Sequence, residues 1–487
     1  MNRIWLWAFG LGVLCGAAWM SMHVWSVRHE VARAAPTTKP DAASLIRKAD
    51  ELVAAKDSAG AIPLYREAVG LSPDDLPLRT KFADVLAASG KADEAIAEYG
   101  QILKRVPGDT DALYQRARAE YQAGKTNDAI TDLNEVVRSK PDLRAARRDL
   151  GLIFMQTGRL MEAASLFGDA VRLWPKDPDV YNDYGVVLTR LDDLPAAIGS
   201  FQEAIRLDPR HVDAQYNLGL SYMNQWLLDD AILHLTAALD ANPSYSDAHF
   251  NLGRSLLRKG KEEEALAQFN TVQQLKGPSA EIFYNVGLAL AGLGREKEAI
   301  ARFSEALRHN PNHADAHFEL GKAMLRYGNI ALAIPQFRAV VKGRPTDVDA
   351  LRQLAIALNH NGQTQEAIAR YRDALQLRPN DTESMNGLAW ILATAADLKL
   401  RDPATALKLA QDASDQMRLT TPLYLDTLAT AQAATGHYEQ AVQTEQAAIA
   451  AAVSLKNADF QKKLEGRLKL YQADKNFVEA PAPTTKP

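Results

Sequence analysis

The apolar positions of this chain repeat with a period of 34 residues, without insertion, from Ala42 to Asp381. In each period the eighth slot is small: Ala49, Ala83, Ala117, Gly151, Gly185, Gly219, Gly253, Gly287, Gly321 and Ala355. The twentieth slot is alanine throughout, from Ala61 to Ala367. One helical turn later on the same face stands Tyr65, Tyr99, Leu133, Phe167, Phe201, Leu235, Phe269, Phe303, Phe337 or Tyr371. Small slots let two helices approach closely, and the large residue fills the gap beside them. Proline closes nine of the ten periods, from Pro73 to Pro379, because it cannot continue a helix; Gly277 with Pro278 closes the remaining one. A central glycine such as Gly260 or Gly294 splits most periods into two helices. Each period is therefore a helical hairpin, and a row of them predicts a solenoid whose units bury their core against one another.

These slots resemble the tetratricopeptide repeat family, as in 212–243, V-D-A-Q-Y-N-L-G-L-S-Y…D-D-A-I-L-H-L-T-A-A-L-D-A-N-P. The resemblance implies an all-α, right-handed superhelical solenoid of twelve helix-turn-helix repeats: ten regular ones over 42–381 and two degenerate ones over 382–454. The first degenerate repeat carries extra residues in its central loop, T-A-A-D-L-K-L-R-D-P, before Ala406; the second keeps Ala429, Gly436 and Ala441 in order. The stretches N-G-L-A-W-I-L-A-T and L-Y-L-D-T-L-A-T-A resemble the terminal repeats of bacterial membrane-linked members of the family. A capping helix is expected over 455–475, with Phe460, Leu464 and Leu468 on its apolar face and Lys462, Lys463, Glu465 and Arg467 turned outward. A proline-rich, disordered tail is expected over 476–487.

The amino terminus breaks the pattern. Ile4 to Trp25 is 22 residues without formal charge, long enough as a helix to cross a bilayer core. Trp5 and Trp7 lie at one end and Trp19 and Trp25 towards the other, where interfacial belts form. Residues 1–27 are read as a retained transmembrane anchor, followed by an Ala/Pro/Thr linker over 28–41. A cleaved signal peptide, with Ala32-Arg33-Ala34 as its site, is the alternative, although that site lies far beyond the apolar run. Arg3 before the span and Arg28 and Arg33 after it favour a cytoplasmic body by charge count. A short amino tail ahead of a large soluble domain is instead the layout of a signal anchor that exports its body. We expect a single-pass inner-membrane protein with its bulk in the periplasm, the cytoplasmic orientation staying open. Ala8, Gly12 and Gly16, spaced by four, form a small-residue face on which two such spans can pack as a homodimer.

With 56 basic and 60 acidic residues and no basic cluster, nucleic acid is not an expected partner. Cys15, the single cysteine, excludes an intramolecular disulfide and a thiolate cluster. Once repeats, anchor and tethers are assigned, no segment remains for a second core, so neither an enzyme nor a cofactor is expected. His309, His313 and His317 are spaced by four but interrupted by Pro311, and are read as loop and packing histidines rather than metal ligands.

Binding is what remains. In this family it usually occurs on the face lined by the first helices. Slot six reads Asp183, Asn217, Asn251, Asn285 and Glu319 over repeats five to nine, with Asn182 one residue early. The row resembles the asparagine ladder of O-linked N-acetylglucosamine transferases, in which amides hold a peptide backbone as both donors and acceptors. Asparagine is also common at this slot across the family. Arg254, Arg258, Lys322 and Arg326 occupy slots nine and thirteen beside the row and can hold an acidic peptide or a sugar acid. The alternative pairs them with Asp247, Glu281 and Asp315, of which the two aspartates can equally cap the first helices. Trp226 replaces the turn glycine of repeat six, either as a partner contact or folded onto the next hairpin. The expected function is a non-catalytic, membrane-anchored scaffold binding a protein or extended peptide, in a cell-envelope assembly or secretion machine. An accessory module presenting peptide or glycan to a separately encoded glycosyltransferase is the alternative.

Overall fold

The computed structural model describes residues 41–417 and 420–479. The expected span Ile4–Trp25, the small face of Ala8, Gly12 and Gly16, the linker to residue 40 and the last residues of the tail lie outside them. Among the described residues no helix is long and apolar enough to cross a membrane.

Those residues form 25 α-helices and one short 3-10 turn. Twelve hairpins account for all but the last helix, each first helix running 13 residues, as in Val212–Asn224, and most second helices 14, as in Leu228–Ala241. The chain divides into two compact bodies, one up to Ser200 and one from Phe201.

The periodic slots form the core of each body. The twentieth-slot alanines, such as Ala95 and Ala265, are fully buried, as are Tyr99 and Phe269 one turn on. Close approach explains the glycines at slot eight: a Cβ added to Gly253 would lie 2.7 Å from the Phe269 ring. At the hairpin turn Gly260 adopts φ 72°, and the chain closes through Gly260 N–H to Leu257 O at 3.0 Å and Lys261 N–H to Leu256 O at 2.9 Å. Only a residue that tolerates positive φ can end a helix this way.

Most first helices are capped by the side chain just before them; those preceded by Leu143, Tyr245 and Thr421 are not. Asp109 and Asp347 accept from backbone N–H groups of the first turn, and in repeats six, eight and nine His211, Ser279 and His313 do the same. This corrects the capping role expected for Asp247 and Asp315, each of which is the second residue inside its helix.

The loop insertion of repeat eleven is ordered by its own polar groups. After Thr382–Thr394, Arg401 Nε donates to Ala395 O at 2.6 Å and Asp402 N–H to Leu392 O at 3.0 Å, and Asp402 then caps Pro403–Gln416. The insertion, the turn of repeat ten and Glu479 border an open cavity of about 1060 Å³ rich in amides, among them Asn359, Asn361 and Gln363.

The last helix, Ala458–Tyr471, buries Leu464 as expected, together with Tyr471. Arg467 is a correction: it turns inward, its Nη1 lying 3.0 Å from both carboxylate oxygens of buried Asp426. Its guanidinium faces both the Trp390 and Phe477 rings, at 5.0 and 4.8 Å from their centroids, and the two rings pack on each other at 5.8 Å. Residues 476–479, expected as free tail, pack back on the body: Glu479 N–H donates to Thr394 O at 3.0 Å and Trp390 Nε1 donates to Glu479 at 2.9 Å.

Candidate functional site

In the body from Phe201, the first helices of repeats six to nine are Val212–Asn224, Ser246–Arg258, Ala280–Gly292 and Ala314–Arg326, and each touches the next. Their slot-six side chains therefore fall on successive members of one row. Asn251 bridges two of them, its Nδ2 donating to Tyr216 Oη of the preceding repeat at 3.0 Å and to Asp247 O at 2.9 Å. Asn285 is buried and donates to Glu281 O at 2.8 Å and to Glu281 Oε1 at 3.3 Å. Both donor hydrogens of each amide are thus spent within the chain. What these two rungs retain is acceptor capacity at Oδ1, which suits a peptide N–H but not a peptide carbonyl. Asn217, half-buried, begins the row, and Glu319 ends it as the partner of Lys322 at 3.0 Å.

Asp183 and Asn182 belong to the other body, where both are buried. Asp183 accepts from Arg148 Nε at 2.6 Å. Burial pushes its carboxyl above the ordinary range while Arg148 pulls it back.

The four flanking cations separate into two kinds. Lys322 is held by Glu319 and lies over the Phe318 ring, and Arg326 donates to Glu296 at 2.6 Å. None takes the carboxylates considered from sequence, since Asp247 pairs with Lys276, Asp315 with Arg344, and Glu281 lies 3.5 Å from His313. Arg254 and Arg258 have no carboxylate partner among the described residues. Arg258 lies over Trp226, 4.7 Å from its ring centroid.

Trp226 itself is 68% exposed and adopts φ 61° at the turn. Its ring meets the guanidinium of Arg258, at the end of the next repeat's first helix, yet stays largely open to solvent, and Leu227 beside it is also exposed. The histidines do not converge. His309 stacks on Phe283, His313 caps its helix, and His317 sits between Gln336 and the carbonyl of Pro311, and no metal-holding group of side chains occurs among the described residues.

A tetratricopeptide repeat model matches residues 114–178, 148–212, 185–233, 216–280, 284–348 and 325–382, and a second one matches 52–121. The chain belongs to the tetratricopeptide repeat family. No curated protein matches it. Among solved structures it is similar to MamA, at 23% identity over 34% of this chain and 97% of that one, with a TM-score of 0.32. It is similar to pilF of Pseudomonas aeruginosa at 18% identity over 42% and 94%, with a TM-score of 0.38. Yeast Tom70 is matched at 16% identity over 89% and 96%, with a TM-score of 0.35. These repeats are of a scaffold type, typically non-catalytic, that binds proteins or peptides.

Sequence reasoning missed one cluster of ionisable groups, Asp426, Glu445 and Arg467. Glu445 is fully buried and neither of its carboxylate oxygens has a hydrogen-bond partner. Burial first, and the nearby Asp426 second, push its carboxyl up to about 9. The sequence signals are an acid, Asp426, inside the apolar run L-Y-L-D-T-L-A and an arginine, Arg467, at helical spacing from Phe460 and Leu464, and their separation in the chain conceals the pairing.

Proposed function

We propose that this protein is a membrane-anchored scaffold that binds a segment of another protein along the first helices of repeats six to nine, in an envelope assembly or secretion machine. The observation that carries the reading is the continuous row of first helices presenting Asn217, Asn251, Arg254 and Arg258 from successive repeats. Family members use such rows to hold peptide segments, and the acceptor oxygen of half-buried Asn251 beside two cations without a carboxylate partner among the described residues suits one. Residues 1–27 are proposed as the anchor, on the length and tryptophan flanks of the apolar run, with the repeats in the periplasm.

A photo-crosslinking residue placed at Asn217 or Asn251 in the full-length protein, in its own membranes, tests the site. One polypeptide is expected to crosslink from both positions and not from Arg308 on a second helix. Equal crosslinking from all three, or none from the first two, defeats it. Fractionation tests the anchor: a protein left in the supernatant after membranes are pelleted, or one whose mature chain begins at Ala35, shows that no anchor is retained.

A further inference from the structure

Equivalent slots of successive repeats reveal what is missing around Arg258. Glu296, at the start of a second helix, accepts from Arg326 of the following repeat. One repeat earlier the equivalent acid, Glu262, faces Gly292, whose added Cβ would lie 2.7 Å from the Glu262 Cγ, so the acid is present without a cation. One repeat earlier again the cation, Arg258, is present and the acid position is Leu228. Arg258 has an aromatic ring where its register mate has a carboxylate. Arg254 stands one turn away on the same helix. Of the other charges close by, Lys259 and Asp229 are committed to each other.

Trp226 adds a second, independent observation. Lys56 and Asp192 also adopt positive φ at this turn, but Trp226 is the bulky residue there and gains little burial in return. A strained and exposed aromatic at a fixed position is a reason to look for a ligand.

We propose that Arg254, Arg258 and Trp226 form a docking point for an acidic segment of the partner protein. Two carboxylates at alternate positions of an extended peptide would lie on the two guanidinium groups, and a neighbouring apolar side chain would lie against Trp226 and Leu227. The spacings agree: residues one helical turn apart are separated by about 5.4 Å along the axis, and alternate residues of an extended strand by about 6.6 Å. Guanidinium groups hold carboxylates through paired hydrogen bonds, and the ring under Arg258 limits the freedom lost on binding. An extended phosphate backbone fits less well, because it requires a basic stripe whereas the next repeat offers Leu288 and Gly292 and the one after it paired cations. This inference rests on the first-helix reading above.

The test uses full-length protein in detergent and a fluorescein-labelled ten-residue peptide carrying Glu-Ala-Glu-Leu, against the same peptide with both glutamates replaced by glutamine. At low salt the acidic peptide is expected to bind at least tenfold more tightly, with the gap narrowing as salt rises. Replacing both arginines, R254E with R258E, should erase the gap while the circular dichroism of the protein stays unchanged; R254Q with R258Q serves if the first pair disturbs folding. Trp226→Gly should weaken the acidic peptide at least threefold. Equal binding of the two peptides, or a gap that survives loss of both arginines, overturns the proposal. So does binding of inorganic phosphate or of phosphatidylglycerol vesicles in place of the acidic peptide. If crosslinking from Asn251 to a partner persists while the peptides fail, the first-helix reading stands and this inference alone falls.

Discussion

Arg467 and Asp426, 41 residues apart, form a buried ion pair with Nη1 3.0 Å from both carboxylate oxygens. The pair joins the last helix to repeat twelve, and the contacts of Arg467 with the Trp390 and Phe477 rings extend the link to repeat eleven and the returning tail. Glu445 lies in the same interior, where burial and Asp426 raise its carboxyl to about 9. In the unfolded chain that group titrates near 4.5. The folded state therefore holds the proton more tightly between these values, and stability falls as pH rises from about 4.5 to about 9.

Burial also raises the Asp426 carboxyl, to about 7, so Glu445→Gln is expected to flatten the slope chiefly above pH 7 and to raise stability at pH 8 by about 1–3 kcal/mol, the scale of a buried polar group left without a partner. Thermal unfolding followed by circular dichroism from pH 5 to 9 checks it. A wild-type midpoint that does not fall across this range, or a variant that falls as steeply, refutes the assignment. Arg467→Ala should have the opposite effect, leaving Asp426 buried without its partner at a cost of about 3–5 kcal/mol and speeding trypsin cleavage at the already exposed Lys475 by loosening the returning segment.

The contrast between this cluster and the repeat core explains what the sequence could reveal. Ala265 and Phe269 are one turn apart on one helix, and Gly253 packs against Phe269 within one hairpin, so a fixed period records all three. Arg467 lies three residues after Leu464 and seven after Phe460, so helical spacing places it beside the apolar face, and only its residue type argues for an outward position. The partners that receive it, Asp426, Trp390 and Phe477, lie outside its own helix, and no period records them. Slot six lies between these cases. The row of Asn217, Asn251 and Asn285 is legible by count, but the use of Asn251 to reach Tyr216 and of Asn285 to reach Glu281 depends on geometry that a slot number does not contain. The span expected over Ile4–Trp25 rests on the sequence alone.

Gly253→Ala and Gly100→Ala are expected to have opposite signs. A methyl at Gly253 would meet the Phe269 ring at 2.7 Å in a fully buried contact, and overpacking of this kind costs about 1–3 kcal/mol. Gly100 lies inside Ala92–Arg105 with nothing within 4 Å of an added Cβ, so alanine there should gain about 0.5–1 kcal/mol. Urea unfolding of the two variants decides, and the same sign for both would contradict the close packing of slot eight.

Asn251→Ala should destabilise the body from Phe201 by about 0.5–1.5 kcal/mol, because its Nδ2 bonds join two repeats. Tyr216→Phe removes the same bridge from the other side, so the double variant should cost clearly less than the sum of the two single changes. Strict additivity in a double-mutant cycle would show that the bridge contributes nothing. The consequence for binding studies is direct: a loss of affinity in Asn251→Ala is interpretable only beside its stability.

Trp226 separates strain from contact through two substitutions of opposite sign. At φ 61° a side chain costs about 1–2 kcal/mol through crowding of its Cβ, a cost avoided at the same turn by Gly260 and Gly294 in the following repeats. Against it stands the Arg258 contact, worth about 0.5–1 kcal/mol at an exposed site. Trp226→Gly relieves the strain, which is the greater of the two, and loses the contact, so a gain of about 0.5–1 kcal/mol is expected. Trp226→Ala keeps the strain and loses the contact, which predicts a loss of similar size. Thermal melts of both variants provide the measurement. If glycine destabilises as much as alanine, the ring contributes to folding after all, and the case for reading it as a partner contact loses its energetic basis.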